Sequence, residues 1–175
     1  MKSIHKIILA FAVPALMLCA TSCLKDEPLI DWSQLGVVVE LPYTSHSQVK
    51  NNVAQGTVVT FELMVNYTID YANKVTEDIP VGIAVDQDMV AEFNSGLAAS
   101  EQQCEIFPAG SYELPSQLVI AAGTKKTAVD FNVTVNSSFE PGHRYLLPVV
   151  ISSVPDNYII SGNFGHLYLE INMAD

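Results

Sequence analysis

Apolar and polar residues alternate at a period of two through most of this chain. Val59, Phe61, Leu63, Val65 and Tyr67 are separated by Thr60, Glu62 and Asn66 on the opposite face. Val129, Phe131, Val133 and Val135 alternate with Asp130, Asn132 and Thr134, and Leu167, Leu169, Ile171 and Met173 with Tyr168, Glu170 and Asn172. The same period marks Val37, Val39 and Leu41, then Val81, Ile83 and Val85, with shorter candidates over residues 117–121 and 144–152. One apolar and one polar face per strand is the pattern of antiparallel sheets packed on a single core. The turn signals "AAGT", "EPGH" and "SGNFG" separate the runs.

One stretch keeps a different period. In "DQDMVAEFNSG", Met89, Val90, Phe93 and Leu97 fall at helical spacing, with Asp86 or Asp88 as N-cap and Gly96 as the stop. About seven strands and one short helix crossing between sheets predict an all-β, immunoglobulin-like antiparallel sandwich over residues 35–175. Residues 43–56, 68–79 and 98–110 read as long polar loops, the usual place for binding surfaces.

The N-terminus is organised differently. Lys2 and Lys6 precede an uncharged run over residues 7–18, too short for the roughly 20 apolar residues of a spanning helix and right for a signal peptide. Ala20, Thr21 and Ser22 supply small residues for a peptidase, and Cys23 follows at once, a thiol placed for diacylglyceryl attachment. The expected organisation is a signal peptide over 1–22, a lipidated tether over 23–34 and the sandwich domain. Several acyl chains on one residue, palmitate among them, anchor a protein stably where one is marginal. The small residues before Cys23 resemble a bacterial lipobox, with Ala20 where leucine is usual. Lys25, Asp26 and Glu27 resemble the export signal of Bacteroidetes lipoproteins, which implies display on the outer face of the outer membrane.

Charge and cysteine usage narrow the partners. Loss of residues 1–22 leaves six of the eight basic residues against all nineteen acidic ones, a net charge of −13. That balance opposes nucleic acid and anionic membrane surfaces, both of which need clustered Lys or Arg. With Cys19 removed and Cys23 lipidated, Cys104 is left as a lone thiol flanked by Glu101 and Glu105, so no internal disulfide is expected and the thiol reads as inert.

Candidate chemistry is sparse. His46, His143 and His166 read as ordinary solvated histidines without metal spacing, and no H-E-x-x-H, C-x-x-C, G-x-S-x-G or phosphate loop is present. Asp86 and Asp88 could offer oxygens to calcium, but an N-cap explains them at least as well. No cofactor is expected. The single Trp32 falls in the tether, so a tryptophan platform for sugars is missing, and the loop tyrosines Tyr43 and Tyr71 are the candidate ligand-binding rings.

Residues 107–173 also carry a family likeness. Tyr112-Glu113-Leu114-Pro115, the "YLLPVVI" strand beginning at Tyr145 and the "YIIS" segment read as a hairpin at Tyr158, together with "MVAEFN" upstream, resemble the domain of unknown function at the N-terminus of Bacteroidetes surface glycan-utilisation lipoproteins. Ala122 stands where that family usually has proline. Family members often continue into a glycoside hydrolase, lectin-like or adhesive domain. The resemblance implies a sandwich fold and a setting near polysaccharide capture, with no catalytic residues to transfer.

The expected function is therefore a non-catalytic surface lipoprotein, an accessory or binding module for polysaccharide or for a glycan-uptake complex. A fimbrial subunit using a sheet edge is the second reading. Pilins of this group mature by cleavage after an arginine near the first strand, and the only arginine here is Arg144. A small hydrolase is the third.

Overall fold

The structure is a computed structural model that describes residues 36–43, 45–69 and 75–175. Cys23, Lys25, Asp26, Glu27 and Tyr71 lie outside the described residues. The strands are β1 (Val37–Glu40), β2 (Ser47–Val53), β3 (Val58–Thr68), β4 (Ile79–Val85), β5 (Cys104–Ile106), β6 (Gln117–Ile120), β7 (Lys126–Thr134), β8 (Arg144–Ser153), β9 (Tyr158–Ile160) and β10 (His166–Met173), with one helix, α1 (Asp88–Ser95). They form two sheets, a four-stranded β7-β3-β1-β9 and a six-stranded β2-β10-β8-β4-β6 in which β5 also pairs with β8.

The alternating apolar residues meet between the sheets. Val39, Leu41, Phe61, Leu63 and Val65 from one side, and Ile79, Val81, Ile120, Leu147, Val149, Leu167, Leu169 and Ile171 from the other, are fully buried. Each such side chain contributes about 1.5–3 kcal/mol of transfer free energy. The all-β sandwich with one short helix is therefore the fold that the periodicity predicts. All seven expected strands are present.

Three strands lay outside that reading, and each for a physical reason. β2 reads SQVKNNV and has no buried residue, while β5 and β9 are three residues each, too short to show a period. The stretches 43–56 and 98–110 are therefore not simple loops, since they contain β2 and β5. Each of these three strands also pairs in parallel: β1 with β9, β10 with β2, and β5 with β8. The sheets are consequently mixed rather than purely antiparallel. The Tyr158 segment pairs with β1 and not with β10, so it passes between sheets instead of making a hairpin.

Helix α1 joins β4 to β5, both of which flank β8, so it crosses the outer face of one sheet rather than passing between sheets. Gln87 occupies the N-cap without a side-chain bond, and the Asp86 carboxylate instead accepts the Asp88 amide at 3.1 Å. Gly96 ends the helix with right-handed dihedrals (φ −85°), so its role there is not the left-handed cap that favours glycine. Asn94 fastens the helix to β5. Its amide donates to the Cys104 carbonyl and its oxygen accepts the Cys104 amide, both at 2.8 Å. Beneath the helix and its following loop, Arg144 binds buried Glu170 at 2.9 Å and donates to the Gln102 carbonyl at 2.8 Å. Burial pushes the Cys104 thiol up to about 11, which makes it inert as expected.

Tyr43 has a structural duty of its own. β1 pairs with β3 only at residues 66–68, which leaves the rest of that β3 edge without a strand. The Tyr43 hydroxyl fills the gap: it accepts the Met64 amide at 3.1 Å and donates to the Glu62 carbonyl at 2.7 Å, while the Gln48 amide donates to the same carbonyl at 2.6 Å. Burial, reinforced by the Glu62 charge, pushes the phenol up to about 12. The side chain thus stands in for a missing strand. Tyr43→Phe should lower unfolding free energy by about 1–3 kcal/mol, the cost of stranding an amide donor. Urea unfolding checks this, and a change within error would show that water replaces the hydroxyl.

Candidate functional site

The segment after β5 builds a cleft on the free edge of the four-stranded sheet. Phe107 enters the core, and the chain then turns at residues 108–111, where the Ser111 amide and hydroxyl both donate to the Pro108 carbonyl, at 3.2 and 2.7 Å. Gly110 sits in this turn at φ +78°, a left-handed conformation that only glycine adopts at little cost. The Thr134 amide donates to the Ser111 carbonyl at 2.7 Å, and Tyr112 bridges Val133 in antiparallel fashion. This laps the otherwise open edge of β7.

Between the lap and the strand lies a cleft of about 480 Å³, within the size range of small-molecule sites. It is lined by Tyr112, Glu113, Asp130, Asn132 and Thr134 together with the Gly110–Ser111 backbone. Asp130, Asn132 and Thr134 are successive outward residues of β7, about 7 Å apart from one to the next. Across the ladder they face Glu62, Thr60 and Val58. The Thr60 hydroxyl donates to Asn132 Oδ1 at 2.8 Å. Asp130 faces Glu62, and like charges directly opposite are mildly destabilising. The Tyr112 ring packs edge-on against Phe107 at 6.1 Å, and its burial raises the phenol above the ordinary tyrosine range.

Glu113 and Asp130 are two carboxylates in one cleft. Both are exposed to water. Both carboxylates are open to hydrogen bonds from a ligand. The lining is a set of hydrogen-bonding groups beside one aromatic ring, an arrangement that can hold a hydroxyl-rich ligand.

A second cluster arises from histidines that the sequence left as solvated. His46 stacks on Phe164 at 4.6 Å and on His166 at 5.3 Å, His166 meets Tyr168 edge-on, and Tyr168 meets Phe93 of α1 at 5.0 Å. The column ties the β1–β2 and β9–β10 connections to the helix. His46 has a left-handed φ of +54°, and its Nδ1 is buried without a partner among the described residues. His143 is different again, bonded to Glu105 at 2.8 Å. Among the described residues, no group of His, Cys, Asp and Glu could hold a metal ion.

The candidate rings therefore divide. Tyr43 is half-buried with its hydroxyl engaged, and Tyr71 lies outside the described residues. The cleft was not visible in the sequence as a site, although two of its parts were: Tyr112 and the polar face of β7.

Comparison with known proteins follows the same lines. A family model described as "-like, N-terminal domain" matches residues 36–157, more than half of the chain. No curated protein matches it. Among solved structures, a Bacteroides ovatus protein provisionally described as carbohydrate-binding superposes with a TM-score of 0.61 at 14% identity, over 78% of this chain and 37% of its own. A two-domain Bacteroides fragilis protein of unknown function gives 0.61 at 15% identity, over 80% and 46%. A Calx CBD1 domain gives 0.50 at 10% identity, over 80% of this chain and 99% of its own. At these identities the likeness shows the fold. The chain spans less than half the length of the two Bacteroides structures.

The ring column makes a pH prediction. Burial, and then the neighbouring His46, lower the His166 pKa below its ordinary value. The unfolded chain, titrating near 6.5, therefore binds protons more readily, so this contribution to stability is complete above about 6.5 and is lost as pH falls through the folded value. Urea midpoints should drop between pH 7 and 5.5, and His166→Phe should flatten that drop. An unchanged slope in the variant would place the titration elsewhere.

Proposed function

Because the chain belongs to this family of N-terminal domains, we propose that it is a non-catalytic module binding uncharged polysaccharide at the cleft between Tyr112 and β7. The cleft carries the reading. Its polar lining and single ring suit sugar hydroxyls and one sugar face, and both carboxylates are solvated. The carbohydrate-binding description of one structural neighbour, which concerns that protein, supports the same class. A net charge of −13 for the chain beyond residue 22 disfavours strongly anionic glycans, whose charges are repelled except at high salt. With one ring and no tryptophan in the cleft, affinity is expected between millimolar and high micromolar, about −4 to −6 kcal/mol.

The setting belongs to the same proposal. Cys23 carries the lipid, the outer membrane is the support, and Lys25, Asp26 and Glu27 direct the domain to the cell exterior, where it serves a glycan-uptake complex. The sequence at 20–27 supports this reading.

Affinity electrophoresis of the mature chain in gels containing soluble mannan, glucan or galactan tests the binding. Retardation by one of the neutral glycans and none by polygalacturonate is expected, with Tyr112→Ala abolishing it. Equal mobility in every gel would remove the proposal. For the anchor, Cys23→Ala should lose labelled palmitate, and protease added to intact cells should digest the wild type but spare a variant with Lys25, Asp26 and Glu27 changed to alanine. Retained label, or protection of both proteins, would contradict it.

A further inference from the structure

Resting on the lipid anchor and the saccharide cleft as read above, we infer that the cleft stands at the membrane-distal end of the domain and takes its ligand from polymer in the medium, not from glycan rooted in the supporting membrane. A neutral saccharide could come from either source. The strand register separates them.

One end of the four-stranded sheet receives the chain from the anchor. Gly36 leads directly into β1, whose residues pair with the last ones of β3, Val38 with Thr68 and Glu40 with Asn66. β9 starts at the same end, with Tyr158 beside Val37. The β6–β7 turn also lies here, because the Tyr67 amide donates to the Lys125 carbonyl at 3.1 Å and Lys126 pairs with Asn66.

The cleft belongs to the other half of the same ladder. On β7 its residues Asp130, Asn132 and Thr134 face Glu62, Thr60 and Val58 of β3. β3 is one unbroken strand from Val58 to Thr68, so the separation is set by backbone geometry. At about 3.4 Å per residue, Glu62 lies about 20 Å from Thr68 along the strand and Val58 about 34 Å. The paired β7 holds that length straight over residues 58–66.

A rigid body tied by one end keeps that end nearest its support, and the tie here is covalent. Charge acts in the same sense. The net charge of −13 beyond residue 22 repels the domain from anionic headgroups, and only the tied end is held against that repulsion. A sugar headgroup on a lipid of the same leaflet would have to reach past the tied end and along the sandwich. Polymer arriving from the medium meets the cleft end first.

The experiment places the full lipidated chain in vesicles of phosphatidylcholine and phosphatidylglycerol whose headgroups carry an energy acceptor. Cys104 is buried, so a maleimide donor reports an introduced thiol at exposed Lys125→Cys, at the tied end, or at exposed Ser137→Cys, just beyond β7 at the far end. Transfer should be about twofold or more higher from Lys125→Cys, as ends about 34 Å apart require. In a second arm, the soluble neutral glycan that retards the wild type is added to vesicles with and without a glycolipid bearing the same sugar as a short headgroup. Polymer affinity should be the same in both. Equal transfer from the two labels, or loss of polymer binding when the glycolipid is present, would overturn this inference and leave the saccharide reading standing. Vesicles that float without the lipidated chain would remove the anchor reading, and absence of wild-type retardation in every neutral-glycan gel would remove the saccharide reading. Either result takes this inference with it.

Discussion

The packing of Phe107 against rings from three separate parts of the chain is the contact on which the cleft and much of the core depend. The parallel pairing of β5 with β8, continued by the Phe107 amide to the Leu146 carbonyl at 3.2 Å, delivers the residue to the gap between the sheets. There its ring lies 6.3 Å from Phe61, 5.9 Å from Phe139 and 6.1 Å from Tyr112. Phe139 in turn meets Tyr145 at 4.7 Å, and Phe61 meets Phe131 at 6.0 Å. An aromatic pair adds roughly 0.5–1.5 kcal/mol beyond its buried area. A single residue thus joins β3, the β7–β8 connection and the lap over β7.

The consequence for function is geometric. A sandwich has edges, and each edge must be paired, covered or blunted. Here two edges are handled by side chains and irregular backbone instead of further strands. Tyr43 and Gln48 complete the β3 edge beyond β1, and the lap from Pro108 to Tyr112 covers β7. The first solution engages the Tyr43 hydroxyl in place of a backbone partner. The second leaves a polar cleft beside a ring, because a lap made of a turn cannot fill the space over the outward face of a strand. The carbohydrate reading follows from that difference between the two edges.

The legibility of this in the sequence varied with the physics of each part. Residues that face a single core announce themselves by period, so Val59 to Tyr67 and Leu167 to Met173 were unambiguous. β2 could not be seen because it lies at a sheet edge, where neither face is buried and nothing enforces alternation. β5 is three residues of backbone pairing. The helix showed its period, but its location on one sheet depended on the β5 pairing and was not accessible. Polar residues on β7 were assigned correctly to the water-facing side, yet nothing local indicates that Tyr112 would be brought opposite Val133. Likewise the stacking of His46 on His166 joins positions 120 residues apart, and a sequence shows each only as a lone histidine. Sites assembled from distant segments on strand faces leave no motif.

If Phe107 holds the cleft in place, native-state hydrogen exchange in Phe107→Leu will show it. Leucine keeps the core apolar but loses the contacts to Tyr112 and Phe139. Faster exchange is expected at the Thr134 amide, whose partner is the Ser111 carbonyl, with amides of the β8–β10 ladder keeping their protection. Equal acceleration at Thr134 and in that ladder, or none at Thr134, would contradict it.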